Sequence, residues 1–189
     1  MMRRLTALVV LVTLLYAPLL TLPAQAAVSG SVSLTIDLQD TRTSGSESAT
    51  QTIKQLFRWN VASGTGADQA NLCWTSTRTL TTGANEDLDL SGSLTNLFGA
   101  AVFTVQKLIA ISAAAANTTS LTVSRPATNG VPFLVAAGDA FVLGAGDFSV
   151  LTRRSTAGVT VTAATGDLIN VLNSSGASAT YTVTVCGLS

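Results

Sequence analysis

The stretch VFTVQKLIAISAAAA, Val102 to Ala116, is the longest apolar run beyond the N-terminus, and its reading decides the fold. Ala113 to Ala116 favour a helix by propensity. Against that, Val102, Phe103, Val105, Ile109 and Ile111 are β-branched or aromatic, and Asn117 with the threonines after it closes the run as a turn. The stretch therefore predicts a central strand, buried on both faces. With it assigned to a sheet, no long helix remains in the chain.

Toward the N-terminus the pattern is again that of strands. From Ser31, Val32, Leu34, Ile36 and Leu38 alternate with Ser33, Thr35 and Asp37, the period of a half-buried strand. A polar turn region is expected from Thr41 to Thr50, centred on Gly45, after which Ile53, Phe57 and Trp59 resume the alternation. Asn60 to Asn71 reads as a loop by its Gly and Asp content. Leu72, Trp74 and Leu80 predict a strand with Thr75 and Thr77 on its other face, and Leu88 and Leu90 a short one. Ser93 to Phe98 suggests a single helical turn.

Toward the C-terminus, short strands lie between turn residues. Leu121 and Val123 come first, then a hairpin-type Asn129-Gly130 pair. Phe133–Val135, Phe141–Leu143, Phe148–Leu151, Val159–Val161, Leu168–Leu172 and Tyr181–Val185 follow. Gly138-Asp139, Gly146-Asp147 and Gly166-Asp167 each open an apolar run, and each predicts a turn in which the Asp side chain caps backbone N–H groups. About ten strands at near-regular spacing predict an all-β fold, a single β-sandwich or jelly-roll-like domain.

The first 26 residues have the layout of a secretory signal peptide. Arg3 and Arg4 precede an apolar stretch from Leu5 to Tyr16, and Ala24-Gln25-Ala26 forms a cleavage site. Cleavage after Ala26 leaves a domain over 27–189; the alternative is a retained anchor, since the apolar stretch approaches spanning length. The mature chain carries eight basic and ten acidic residues, a net charge of −2. That balance offers no attraction for nucleic acid or, once the leader is gone, for an anionic membrane. A chain only 11% charged and rich in Ser, Thr, Asn and Gly suits an exported β protein or one that covers itself with its own copies. In an oxidising compartment the two cysteines, Cys73 and Cys186, are expected to pair, closing a loop of roughly 110 residues; two free buried thiols are the alternative. Both cysteines stand out of phase with the apolar stripe of their strands, which favours a bridge between neighbouring strands.

The chemistry the chain can perform is narrow. It has no histidine, which removes Ser-His-Asp and Cys-His nucleophile systems and the commonest transition-metal ligand. Gly64-x-Gly66 and Gly144-x-Gly146 lack a following Lys-Ser/Thr and read as loop glycines. Glu86, Asp87 and Asp89 form the one acidic cluster. It supplies too few oxygens for calcium without loop carbonyls and lacks the aromatic cleft of a paired-carboxylate glycosidase, so a solvated edge-strand guard is the favoured reading. Trp59 and Trp74 fall in apolar phase and read as core before carbohydrate platform. Arg153-Arg154 reads as a solvated turn, and Asn117-Thr118-Thr119 and Asn173-Ser174-Ser175 as chance glycosylation patterns. No catalytic, cofactor or metal residue is expected.

Several segments resemble a family of small proteins encoded among tailed-phage structural genes. They are Asp68-Gln69-Ala70, Thr77-Arg78-Thr79-Leu80, Glu86 to Thr95 (EDLDLSGSLT), Ser124 to Pro132 (SRPATNGVP), Thr165-Gly166-Asp167-Leu168 and Asn173-Ser174-Ser175. The resemblance covers about two thirds of the chain and implies a β-rich virion component, decorating or associated with a capsid. A leader and two cysteines are departures from that family and fit a copy that folds outside the cytoplasm. The expectation is a non-enzymatic, exported, self-associating structural protein, a homo-oligomer with a cell-surface or virion partner, secreted or in a virion. A secreted glycan- or surface-binding module is the alternative, as is a pilus-type subunit whose strand Ser31 to Leu38 completes a neighbour's sheet.

Overall fold

A computed structural model describes residues 27–174 and 176–189; the predicted leader lies outside the described residues. The described residues contain fourteen strands and no helix. In chain order these are β1 (Gly30–Ser44), β2 (Glu47–Ser63), β3 (Gln69–Ala70), β4 (Leu72–Leu80), β5 (Asn85–Asp89), β6 (Thr95–Asn96) and β7 (Gly99–Ala100). They continue as β8 (Val105–Ala113), β9 (Leu121–Ser124), β10 (Ala140–Leu143), β11 (Phe148–Thr152), β12 (Val159–Thr160), β13 (Leu168–Asn173) and β14 (Ala179–Leu188).

Two antiparallel sheets form the body. One runs β11-β8-β14-β4, with β12 also on β8, and the other runs β10-β9-β13-β5. β8, cut from the run that decides the fold, lies inside the first sheet between β11 and β14. Its alanine-rich end leaves the sheet after Ala113, where Asn117 stops it by pairing its side-chain amide with both the N–H and the carbonyl of Thr180. The inner faces of the two sheets share one core. Trp74, Ile109, Ile111, Tyr181, Val183 and Val185 come from the first sheet, and Leu88, Leu121, Val123, Ile169 and Val171 from the second. The architecture is consistent with a β-sandwich.

The Gly-Asp turns behave as their chemistry requires. Asp139, Asp147 and Asp167 each accept the backbone N–H three residues earlier, from Ala136 at 2.7 Å, Gly144 at 2.8 Å and Ala164 at 2.6 Å. Buried Asn173 binds the carbonyls of Leu80, Thr81 and Ala177 through its amide nitrogen, so this sequon asparagine is a core strut.

Five local expectations change, beginning with Asn60 to Asn71, where β2 runs on to Ser63 and β3 takes Gln69–Ala70, so that the loop is shorter than its Gly and Asp content suggests. Thr41 to Thr50 is not an extended turn: β1 and β2 stay in register up to Ser44 opposite Glu47, leaving Gly45 and Ser46 as a two-residue loop with Gly45 at φ 62°. Ser93 to Phe98 holds no helical turn but leads into the small β6–β7 hairpin. Phe133–Val135 is not a strand, since Phe133 turns into the core while Val135 faces solvent. Asn129-Gly130 makes no tight hairpin turn but lies within the long connection between the paired strands β9 and β10; Asn129 takes positive φ and offers its carbonyl to the N–H groups of Asp167 and Leu168.

Two further features have measurable consequences. The β8–β14 ladder shifts register between Cys186 and Gly187, and a Cβ at Gly187 would collide with the Val105 carbonyl. Gly187→Ala is expected to cost about 1–3 kcal/mol through forced backbone movement, read as a lower urea midpoint. Tyr181 donates its hydroxyl to Glu86, which also holds Arg78 at 2.6 Å and so ties β14, β4 and β5 together. Burial, then the hydrogen bond and charge of Glu86, push the Tyr181 pKa well above its ordinary value of 10.0. The folded protein keeps a proton there that the unfolded chain releases, so this contribution is complete below pH 10 and falls as pH rises above it. Urea midpoints followed from pH 8 to 11 should fall less steeply in Tyr181→Phe than in the native protein.

Candidate functional site

β1 and β2 form an antiparallel ribbon that leaves the body. From Val32 opposite Trp59 to Ser44 opposite Glu47 the ladder is unbroken, and at ~3.3 Å per residue it reaches about 40 Å. Alternation sorts its side chains into two faces. Val32, Leu34, Ile36 and Leu38 stand on one face with Trp59, Phe57 and Ile53 across the ladder. The other face carries the Asp37–Lys54 ion pair at 3.3 Å and the Thr41–Thr50 hydroxyl pair at 3.0 Å. Such exposed pairs contribute little. Along the apolar face, Leu34, Leu38, Ile53 and Phe57 remain exposed. A two-stranded hairpin is marginally stable by itself, and the apolar side chains along this face are left uncovered by the described residues.

The root of the ribbon is firmly held. Trp59, Val61, Ala70, Leu108 and Cys186 form a second buried cluster, with Val28, Val32 and Cys73 packed against it. This cluster sits on the outer face of the first sheet, where Cys73 and Cys186 stand opposite each other in the β4–β14 ladder and are joined as a disulfide. The Trp59 indole N–H donates to the Asp68 carbonyl at 3.2 Å, and the Asp68 carboxylate takes the Arg154 guanidinium at 2.6 Å. Lys107 is fully buried below; its ammonium donates to the carbonyls of Gly66 at 2.6 Å and Gln69 at 2.9 Å. Burial lowers the pKa of Lys107, and the nearby Asp68 charge opposes the shift. The glycines of the 64–69 loop thus serve a lysine-capped turn, and Arg154, expected to be merely solvated, ties that turn to the body.

Beyond the root, the outer face of the first sheet is a threonine grid. Thr75 with Thr184, Thr77 with Thr182 and Thr79 with Thr180 pair their hydroxyls, each at 2.9 Å. Toward β11 the grid gives way to exposed Phe148 and Val150. An open cleft of about 520 Å³ lies between this strand and the ribbon. Val32, Leu34, Phe57 and Trp59 form its ribbon wall with Leu56 and Arg58, and Val150 and Thr152 face them from β11, near Arg154.

At the other edge of the sheet, the β6–β7 hairpin lies beside β4. The Trp74 indole N–H holds the Thr95 carbonyl at 3.0 Å, and Asn96 Oδ1 accepts the Phe98 N–H at 2.8 Å. The two residues of its loop, Leu97 and Phe98, are 98% and 88% exposed. A sequence reading of this stretch as a helical turn hides them; Asn96 and Gly99 flanking the pair are the turn signal that marks it.

The acidic cluster divides into structural roles. Glu86 holds Tyr181 and Arg78, Asp87 accepts from Asn170 at 2.8 Å, and Asp89 accepts from the Ser91 backbone at 2.8 Å. It lies on β5, an edge strand, as an acidic guard would. No group of three or more potential metal ligands occurs among the described residues, nor does any helix long and apolar enough to cross a membrane. Trp59 and Trp74 are both buried, in keeping with their apolar phase. No protein-family model, no curated protein and no solved structure matches the chain.

The disulfide beneath the ribbon root closes a sequence separation of 113 residues. Reduction should therefore lower unfolding stability by about 4–5 kcal/mol on the chain-entropy account. Urea titrations with and without reductant measure this directly; an unchanged midpoint would mean that the bridge constrains nothing.

Proposed function

We propose that this protein is a non-enzymatic, exported structural subunit of the virion type that assembles with copies of itself through the β1–β2 ribbon. The ribbon carries the proposal: about 40 Å of amphipathic ladder, fixed at its root, with Leu38 and Ile53 paired and exposed on its apolar face. A ribbon two strands wide presents roughly 400 Å² on each face at the usual strand spacing, a patch of the size that marks a protein contact.

The order of the body strands supports the virion-type reading. Counted along the body as β4, β5, β8, β9, β10, β11, β13 and β14, the sheets run first-eighth-third-sixth and second-seventh-fourth-fifth. That interleaving is the pattern of a jelly roll, a fold used by capsid proteins and also by lectins. The Cys73–Cys186 bridge is compatible with an extracytoplasmic location. For a pilus-type donor strand the support is weaker, because β1 is paired to β2 along its whole length. A glycan platform built on tryptophan is disfavoured by the burial of both indoles.

Size-exclusion chromatography with light scattering on the secreted chain tests the proposal. The native protein should be a defined homo-oligomer. Leu38→Asp/Ile53→Asp, both exposed in the single chain, should weaken assembly at least about 100-fold, since each buried aliphatic side chain is worth ~1.5–3 kcal/mol. A native protein that stays monomeric at high micromolar concentration would overturn the reading.

A further inference from the structure

Leu97 and Phe98 form an apolar knob whose ring and isobutyl group stand almost wholly clear of the described residues. The knob is also rigidly presented. Asn96 accepts the Phe98 N–H and reaches the Cys73 carbonyl at 3.5 Å, while Ala101 donates to the Leu94 carbonyl at 2.8 Å behind it. Its neighbours Thr95, Asn96, Gly99 and Ala100 are uncharged. At the opposite edge of the same sheet lies the cleft of about 520 Å³ at the ribbon root, with Leu34, Leu56, Phe57 and Val150 in its walls. We propose that the Leu97–Phe98 knob of one copy inserts into the ribbon-root cleft of the next, so that copies of this chain join head to tail. This rests on the self-association reading above and names its contact.

Three arguments select a second copy as the occupant. The first is geometry. The knob borders β4 and the cleft borders β11, with β14 and β8 between them in a continuous ladder. A chain therefore cannot fill its own cleft with its own knob. The second is fit. A cavity of ~150 Å³ accepts a benzene ring, so the cleft has room for a phenyl and an isobutyl group together, and an uncharged tip brings no cation against Arg58 and Arg154, which also line it. The third is area. An aromatic side chain buries ~150–250 Å². With Leu97 and one face of the ribbon lying along the neighbour, the contact approaches the ~800 Å² per partner of a stable interface. Knob and cleft are different surfaces, so the contact is heterologous and builds a ring or a filament.

A complementation experiment tests this on the full secreted chain. Leu97→Ser/Phe98→Ser removes the knob and leaves the cleft; Phe57→Asp/Val150→Asp spoils the cleft and leaves the knob. Each variant alone should be monomeric under conditions where the native protein assembles, and an equimolar mixture should give a 1:1 heterodimer that grows no further. Should the cleft variant fail to fold, Phe98→Cys/Val150→Cys in the native background serves instead, and a ladder of reducible covalent oligomers is the expected result. A knob variant that assembles like the native protein overturns the knob-and-cleft contact while leaving self-association intact, as does a mixture that stays monomeric. A native chain that never assembles removes both proposals. Co-sedimentation with phosphatidylcholine/phosphatidylglycerol vesicles, lost in the knob variant, would assign the tip to a membrane and overturn the contact between copies.

Discussion

Trp59 lies buried on the outer face of the first sheet, in a cluster with Leu108 and Cys186, and its indole N–H holds the Asp68 carbonyl. The rest of the protein's outer architecture hangs on that junction. The indole comes from β2, Leu108 from β8 and Cys186 from β14, so one side chain links the ribbon to two neighbouring strands of the sandwich. Beneath it, the buried Lys107 ammonium donates to two carbonyls of the 64–69 loop, which offset part of the cost of burying its charge. Without this anchoring the ribbon would be an isolated hairpin, which water alone does not hold together.

The two halves of the structure solve opposite problems. In the sandwich, each apolar stripe finds a partner: Tyr181, Val183 and Val185 meet Val123, Ile169 and Val171 from the facing sheet within one core. On the ribbon, the same alternation has no facing sheet beyond the root, so Leu38 and Ile53 remain in solvent. The outer face of the first sheet is intermediate. Threonines satisfy one another there by hydroxyl pairing and keep the surface flat and uncharged, while Phe148 and Val150 interrupt it at the edge. A weakly charged chain with such surfaces has little electrostatic selectivity, so shape must set which surfaces meet. The sandwich alone identifies no activity, because a fold is a scaffold for many functions; the information lies in what the fold leaves uncovered.

Much of this was legible from residue order, and the failures have identifiable causes. The β-branched content of Val105 to Ile111 outweighed the alanines, because a strand between two others rewards side chains that pack on both faces. The phase of Cys73 and Cys186 put them on the outer face, where the ladder sets them opposite one another. Thr41 to Thr50 was misread as a wide turn because polar residues carry no period, yet threonine suits a strand, and a two-residue loop at Gly45-Ser46 suffices to reverse it. Ser93 to Phe98 was misread because propensity over six residues is a weak signal, and the Trp74 and Asn96 hydrogen bonds that decide the hairpin lie beyond its reach.

By itself the sequence determined the class of secondary structure, the faces of most strands, the burial of both tryptophans and the lack of histidine chemistry. Each follows from local properties: side-chain branching, period two and residue identity. Only the tertiary structure decided which apolar faces found cover. Val32 and Leu38 occupy the same face of the same strand, yet Val32 packs on the sandwich and Leu38 does not. Period two states that a face seeks an apolar partner; where the partner lies depends on contacts far apart in sequence. The cleft at the ribbon root, drawn from β1, β2 and β11, and the Leu97–Phe98 knob across the sheet from it exist only once those distant strands are assembled.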